Sequence, residues 1–109
     1  MKRPIRKEEI TLLKHLLELA VREELHESIP TEVEEYNPKQ KESVNLSGTD
    51  AADYGGDLLR VEYTDEDEIV VTITLTKNKE GDLLDLDFWK EGFIPVIQYP
   101  SPEQVKIVR

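Results

Sequence analysis

Ile69-Val70-Val71-Thr72-Ile73-Thr74-Leu75-Thr76 decides the fold. Its β-branched side chains favour an extended chain, and its alternation has a period of two. Ile69, Val71, Ile73 and Leu75 point one way, and Val70, Thr72, Thr74 and Thr76 the other. Upstream, Leu59, Val61 and Tyr63 alternate with Arg60 and Glu62. Downstream, Leu84, Leu86 and Phe88 alternate with Leu83, Asp85, Asp87 and Trp89. Thr64-Asp65-Glu66-Asp67-Glu68 and Lys77-Asn78-Lys79-Glu80-Gly81-Asp82 read as the two connecting hairpin loops. Face matching sets the pairing, because a slip of one residue inverts the faces. Opposing Tyr63 to Ile69 also opposes Val61 to Val71 and Leu59 to Ile73. Opposing Leu75 to Leu84 also opposes Ile73 to Leu86 and Val71 to Phe88. The large apolar side chains then share one face, and Arg60, Glu62, Thr72, Thr74, Asp85, Asp87 and Trp89 occupy the other.

Ahead of the strands, residues from about Lys7 to Glu27 read as one helix. At 100° per residue, Ile10, Leu12, Leu13, Leu16, Leu17, Leu19, Ala20 and Val21 fill one wide sector, and Thr11, Lys14, His15, Glu18 and Arg22 the opposite one. Pro30 marks its end. So wide a sector implies a second contact besides the sheet, with either the C-terminal segment or a second copy of the chain. Residues 28 to 57 read as mostly irregular, with Val44 to Leu46 a short edge strand. Ser47-Gly48-Thr49-Asp50 and Tyr54-Gly55-Gly56-Asp57 read as turns. After Gly92, Pro95 and Pro100, Ser101-Pro102-Glu103-Gln104 is a helix start, to be followed by a short helix or a docked tail. The expectation is one α+β domain over residues 1–109: an N-terminal amphipathic helix packed on a small antiparallel meander of three to four strands.

The chain has 109 residues, 24 of them acidic and 14 basic, for a net charge of −10. That field repels phosphate backbones and anionic membrane surfaces, so nucleic acid and membranes are excluded as partners, whereas a basic protein is permitted. With no cysteine, disulfides, thiol nucleophiles and cysteine metal sites are excluded. The charged start Met-Lys-Arg-Pro-Ile-Arg-Lys-Glu-Glu does not read as a signal peptide, and no apolar run approaches the ~18 residues of a membrane span. The expected location is the cytoplasm.

The sequence supplies no catalytic, cofactor-binding or metal-ligating set. His15 and His26 lie about 16 Å apart on the expected helix, too far to share an ion. Asp85 and Asp87 share a strand face about 7 Å apart, as an acid/base pair could, but alternation already demands polar residues there. Asp82, Asp87 and Lys90 fall one residue out of the acidic-x-Lys spacing of nucleases. The residue that stands out is Trp89, a large ring on the polar register. Tryptophan is enriched at binding hot spots, although packing beneath Glu91 to Tyr99 would also explain it. The candidate binding surface is therefore Arg60, Glu62, Asp85, Asp87, Trp89 and Lys90.

Three stretches carry a resemblance. They are Arg3-Pro4-Ile5 with Glu8-Glu9 and Leu12-Leu13, then Tyr54-Gly55-Gly56 leading into Leu58-Leu59-Arg60-Val61, and Leu86-Asp87-Phe88-Trp89-Lys90 followed by Phe93-x-Pro95. Together they resemble an uncharacterised family of small bacterial domains sharing an Asp-x-Trp-Lys-x-x-Phe-x-Pro stretch. The resemblance implies a common fold and transfers no activity. The functional expectation is a non-catalytic protein-binding module, an acidic immunity-type protein that masks a basic partner. A small-ligand binder or enzyme on the polar sheet face is the alternative, and a structural homodimer is a third reading.

Overall fold

Alternating polarity between residues 54 and 90 builds three long antiparallel strands, and four short ones extend the sheet on both sides. In chain order the strands are β1 (Lys2–Pro4), β2 (Glu32–Glu35), β3 (Val44–Asn45), β4 (Tyr54–Thr64), β5 (Val70–Asn78), β6 (Leu83–Lys90) and β7 (Lys106–Ile107). They form one seven-stranded sheet in the order β1-β2-β3-β6-β5-β4-β7. One α-helix, α1 (Lys7–Leu19), lies between β1 and β2 in the chain, and short 3₁₀ turns join the remaining elements. The computed structural model describes residues 1–37, 39–48 and 51–108, with the backbone alone at Ala51. The expected turn at Ser47-Gly48-Thr49-Asp50 falls partly outside the described residues.

The expected sheet of three to four strands is therefore overturned by a sheet of seven. The strands that went unread are short and polar. β1 and β2 are held by Arg3, whose Nε donates to Glu35 at 2.6 Å and whose two terminal nitrogens each donate to Glu9 at 2.8 Å. The same nitrogens reach the Pro4 and Lys41 carbonyls at 3.2 Å. All five guanidinium donors are thus used, and a Glu9 that is 1% exposed is neutralised where it sits. Glu9 also accepts the Arg6 N–H at 2.7 Å, closing the first turn of α1. β3, expected at an edge, lies inside the sheet between β2 and β6.

Both hairpins pair two residues away from the expected register. Tyr63 faces Val71, Val61 faces Ile73 and Leu59 faces Leu75. Leu75 faces Leu86, Ile73 faces Phe88 and Val71 faces Lys90. A shift of two preserves the faces. Val71, Ile73, Leu75, Leu84 and Leu86 are fully buried, as are Leu12, Leu13 and Leu17 of α1. The first hairpin shifts because Glu68 adopts a left-handed backbone (φ 66°), which draws Ile69 into the loop. At the far end, Tyr54-Gly55-Gly56-Asp57 opens β4 instead of forming a turn. The register there is broken twice, and Gly55 approaches so closely that a Cβ would lie 2.3 Å from the Asn78 carbonyl oxygen.

The helix is shorter than expected, ending at Leu19 rather than near Glu27. Val21 N–H donates to the Glu18 carbonyl and Arg22 N–H to the Leu17 carbonyl, and Val21 has φ 56°. This is the Schellman stop, with valine in the place glycine usually holds. Glu23–Ser28 continues as a 3₁₀ turn. The second contact of α1 is with the C-terminal segment, at Pro102–Gln104. There Ser101 N–H donates to Gln104 Oε1 at 2.8 Å, and the chain goes on into β7 rather than into a helix.

Candidate functional site

Strand β6 places consecutive residues on opposite sides of the sheet, and this divides the expected surface. Asp87 and Trp89 face outward; Phe88 and Lys90 face the core. The outward rows continue across the sheet. Asp87 lies beside Thr74 and then Arg60, while Trp89 lies beside Thr72 and then Glu62. Lys106 of β7 completes the second row. Arg60, Glu62, Asp87 and Trp89 therefore share one open face, as expected.

Asp85 shares that face but is already engaged. Tyr36 donates its hydroxyl to Asp85 Oδ1, and Asn45 Nδ2 donates to Asp85 Oδ1 at 3.2 Å and to the Tyr36 oxygen at 2.9 Å. Desolvation, and then the Asp85 bond, push the Tyr36 hydroxyl up to about 12. An open depression adjoins this network, lined by Met1, Glu34, Glu35, Tyr36, Asn45, Gly48 and Asp53. Trp89 lies outside it. Among the described residues no group of three His, Asp or Glu side chains could hold a metal ion.

Lys90 is the correction to the expected surface. It is 3% exposed, on the same parity as Leu86 and Phe88. Its ammonium donates to Asp65 at 2.8 Å, to Asp67 at 2.7 Å and to the Pro95 carbonyl at 3.1 Å. An unpaired charge could not remain there. Asp65, read from sequence as part of a soluble loop, is 4% exposed. It also accepts the backbone N–H groups of Glu66, Ile97 and Gln98, at 2.8, 2.8 and 3.1 Å. Burial alone would raise its pKa. The Ile97 amide, Lys90 and the other two amides outweigh burial and hold it near 2. Burial likewise pulls Lys90 down, while Asp65 and Asp67 leave it above its ordinary value. This centre ties the β4–β5 loop, the end of β6 and the 95–98 segment together. Tyr63 adds a hydrogen bond to the Gln98 carbonyl at 3.0 Å.

With the back of the loop pinned, its front carries what sequence reading missed. Trp89 does not pack beneath the following segment; it is 47% exposed. The ring of Phe93, 77% exposed, meets it in a T-shaped arrangement at 6.4 Å between centroids. Phe93 has φ 56°, directly after Gly92 at φ 81°. Two successive left-handed residues make the turn that brings the phenylalanine round beside Trp89. The only sequence signal was the Trp-x-x-x-Phe spacing of Trp89 and Phe93, with Gly92 immediately before the second ring. Val70, 41% exposed, lies on the same face two residues from Thr72, the residue opposite Trp89.

The carboxylate beside this pair is not neutralised. Among the described residues Asp87 forms no ion pair, and its contact is Ser43 Oγ at 3.4 Å. Partial desolvation, opposed by Ser43 and reinforced by Asp85, holds its carboxyl above the usual range. Arg60, two strands away, is turned to Asp57 at 3.5 Å. The face thus offers an aromatic pair next to one carboxylate, Asp87, that has no ion-pair partner among the described residues. That arrangement suits recognition and contains no nucleophile with an adjacent base.

Comparison with curated proteins finds no match, and comparison with solved structures finds none. A family model described as "Domain of unknown function (DUF6984)" matches residues 2–100, a span that takes in β1 to β6 and the Trp89–Phe93 loop, and the chain belongs to that family.

Proposed function

We propose that this chain is a non-catalytic protein-binding module whose open sheet face, centred on Trp89 and Phe93, takes a basic partner in the manner of an immunity-type protein. The observation that supports this is Phe93, an exposed aromatic residue held in a left-handed backbone. A non-glycine residue there costs about 1–2 kcal/mol, and a ring left in water returns almost nothing to the isolated fold. A partner that covers Trp89 and Phe93 would gain the burial of two rings already held in place. The net charge of −10 favours association with a basic surface over an acidic one. A bacterial cytoplasmic setting, and an Asp-x-Trp-Lys-x-x-Phe-x-Pro stretch shared across the family, belong to the same reading. No helix of the described residues is long and apolar enough to cross a membrane.

Co-purification with the products of the adjacent genes tests the module, using wild type, Trp89→Ala and Phe93→Ala. The wild-type chain should retain one basic protein that elutes with salt. Each variant should keep its fold and lose at least about tenfold in retention, as hot-spot truncations do. Equal retention by the variants would remove the face from the reading. Retention of nothing by the wild type would remove the module.

The alternative of a small-ligand binder or enzyme draws on one observation, the raised carboxyl of Asp87 on an open face. Flat thermal shifts across metals and metabolites would end it. A structural homodimer, suggested by the wide apolar sector of the helix, is the third reading, and light scattering that reports a monomer would end that.

A further inference from the structure

We infer that the Trp89 face recognises arginine side chains of an extended basic segment, the indole serving as a platform for the guanidinium and Asp87 as its carboxylate partner. This rests on the reading of that face as an interface. Asp87 and Trp89 stand two residues apart on one strand, about 7 Å between side-chain origins. That is the span over which a guanidinium can lie on a ring and still reach a carboxylate. Glu62 lies two strands along the Trp89 row, and Glu91 follows at the strand end, both exposed. Asp87 thus stands on the strand of Trp89, with Glu62 two strands off and Glu91 two residues on in the chain. The nearest cation on the face, Arg60, is turned to Asp57, and Lys90 is withdrawn behind the sheet by Asp65 and Asp67. Lys106, beside Glu62 at the far end of the Trp89 row, is three strands from the indole, so among the described residues no cation pairs with Asp87, and the charge that would complete it comes from outside. Arginine suits it better than lysine, because its planar group stacks on a ring and is the more weakly hydrated of the two. An extended segment can follow the strands of an open sheet face and present alternate side chains to it.

The protein has one tryptophan, so its emission reports from the proposed site. The full chain is titrated at low salt with nine-residue peptides of arginine, lysine and glutamate. The arginine peptide should change Trp89 emission along a saturating curve, the lysine peptide should bind more weakly, and the glutamate peptide should have no effect. Asp87→Asn should weaken arginine-peptide binding at least about fivefold. The same substitution should raise the unfolding temperature slightly, because it removes a desolvated carboxylate next to Asp85, and a structural role for Asp87 would give the opposite. Glu24→Gln carries the same charge change at a distant exposed pair with Arg22 and should leave affinity unchanged. Equal weakening by Asp87→Asn and Glu24→Gln would reduce the interaction to general charge attraction and overturn the inference. So would equal binding of arginine and lysine peptides, or an unmoved emission. If emission stays unmoved while Trp89→Ala still loses a co-purified protein, only the arginine preference falls and the interface stands.

Discussion

Val21 stops α1 from a backbone conformation that residues other than glycine and asparagine rarely adopt. Its side chain is 76% exposed, so it contributes little packing in return. Val21→Gly should therefore stabilise the protein by about 1 kcal/mol, or roughly 4 °C in a thermal melt. A fall in melting temperature would mean that the valine makes a compensating contact. The same residue explains why the helix was read too long. Its periodicity runs on through Leu25, and the usual warning of a helix end, a glycine, is not there. Lys90 misled for a different reason. Alternation alone assigns it to the core side with Leu86 and Phe88, but a lysine is expected in water. The carboxylates that permit its burial, Asp65 and Asp67, lie more than twenty residues earlier in a run that looked merely soluble.

At the scale of elements, the long strands were legible because each alternates apolar and polar residues over five or more positions, and a register displaced by two costs nothing in face matching. The short strands were not. β1, β2 and β3 carry two to four residues each, too few for a period to show. They depend on long-range bonds such as Arg3 to Glu35, which no local pattern announces. The β3–β6 junction shows how such a strand is kept. Val44 and Asn45 pair with Leu86 and Asp85, and beyond them the Ser43 hydroxyl accepts the Phe88 N–H at 2.9 Å. A side chain thus supplies a rung that the backbone does not. Ser43→Ala should leave that buried amide unsatisfied and cost about 1–3 kcal/mol, measurable by urea unfolding. Ser43→Thr, which keeps the hydroxyl, should recover part of the loss.

For the molecule as a whole, the carboxylates oppose one another in their response to acid. Asp65, with a folded value near 2 against an ordinary 3.8, stabilises the fold fully above pH 3.8. That contribution is lost as the pH falls from 3.8 through about 2. Asp87 and Glu42 are held above their ordinary values, chiefly by desolvation. Their effect has the opposite sign: folding gains when they protonate and loses as the pH rises through their raised values. The unfolding temperature should therefore climb on moving from neutral to mildly acid pH, then drop steeply below 3.8. Circular dichroism melts across a pH series would show both limbs. Asp65→Ala should cost about 3–5 kcal/mol at neutral pH and flatten the lower limb. The open face was legible in outline from alternation. Its aromatic partner was not, because Phe93 reaches Trp89 through a turn whose geometry lies in two left-handed residues.

Trp89 and Lys90 are neighbours in the chain yet look out on opposite sides of the sheet. Any load applied to the indole is passed through a single peptide unit to the ammonium that secures Pro95 and, with Asp65, the Ile97 and Gln98 amides. Those two amide protons should consequently exchange with deuterated solvent more slowly once the outer face is occupied.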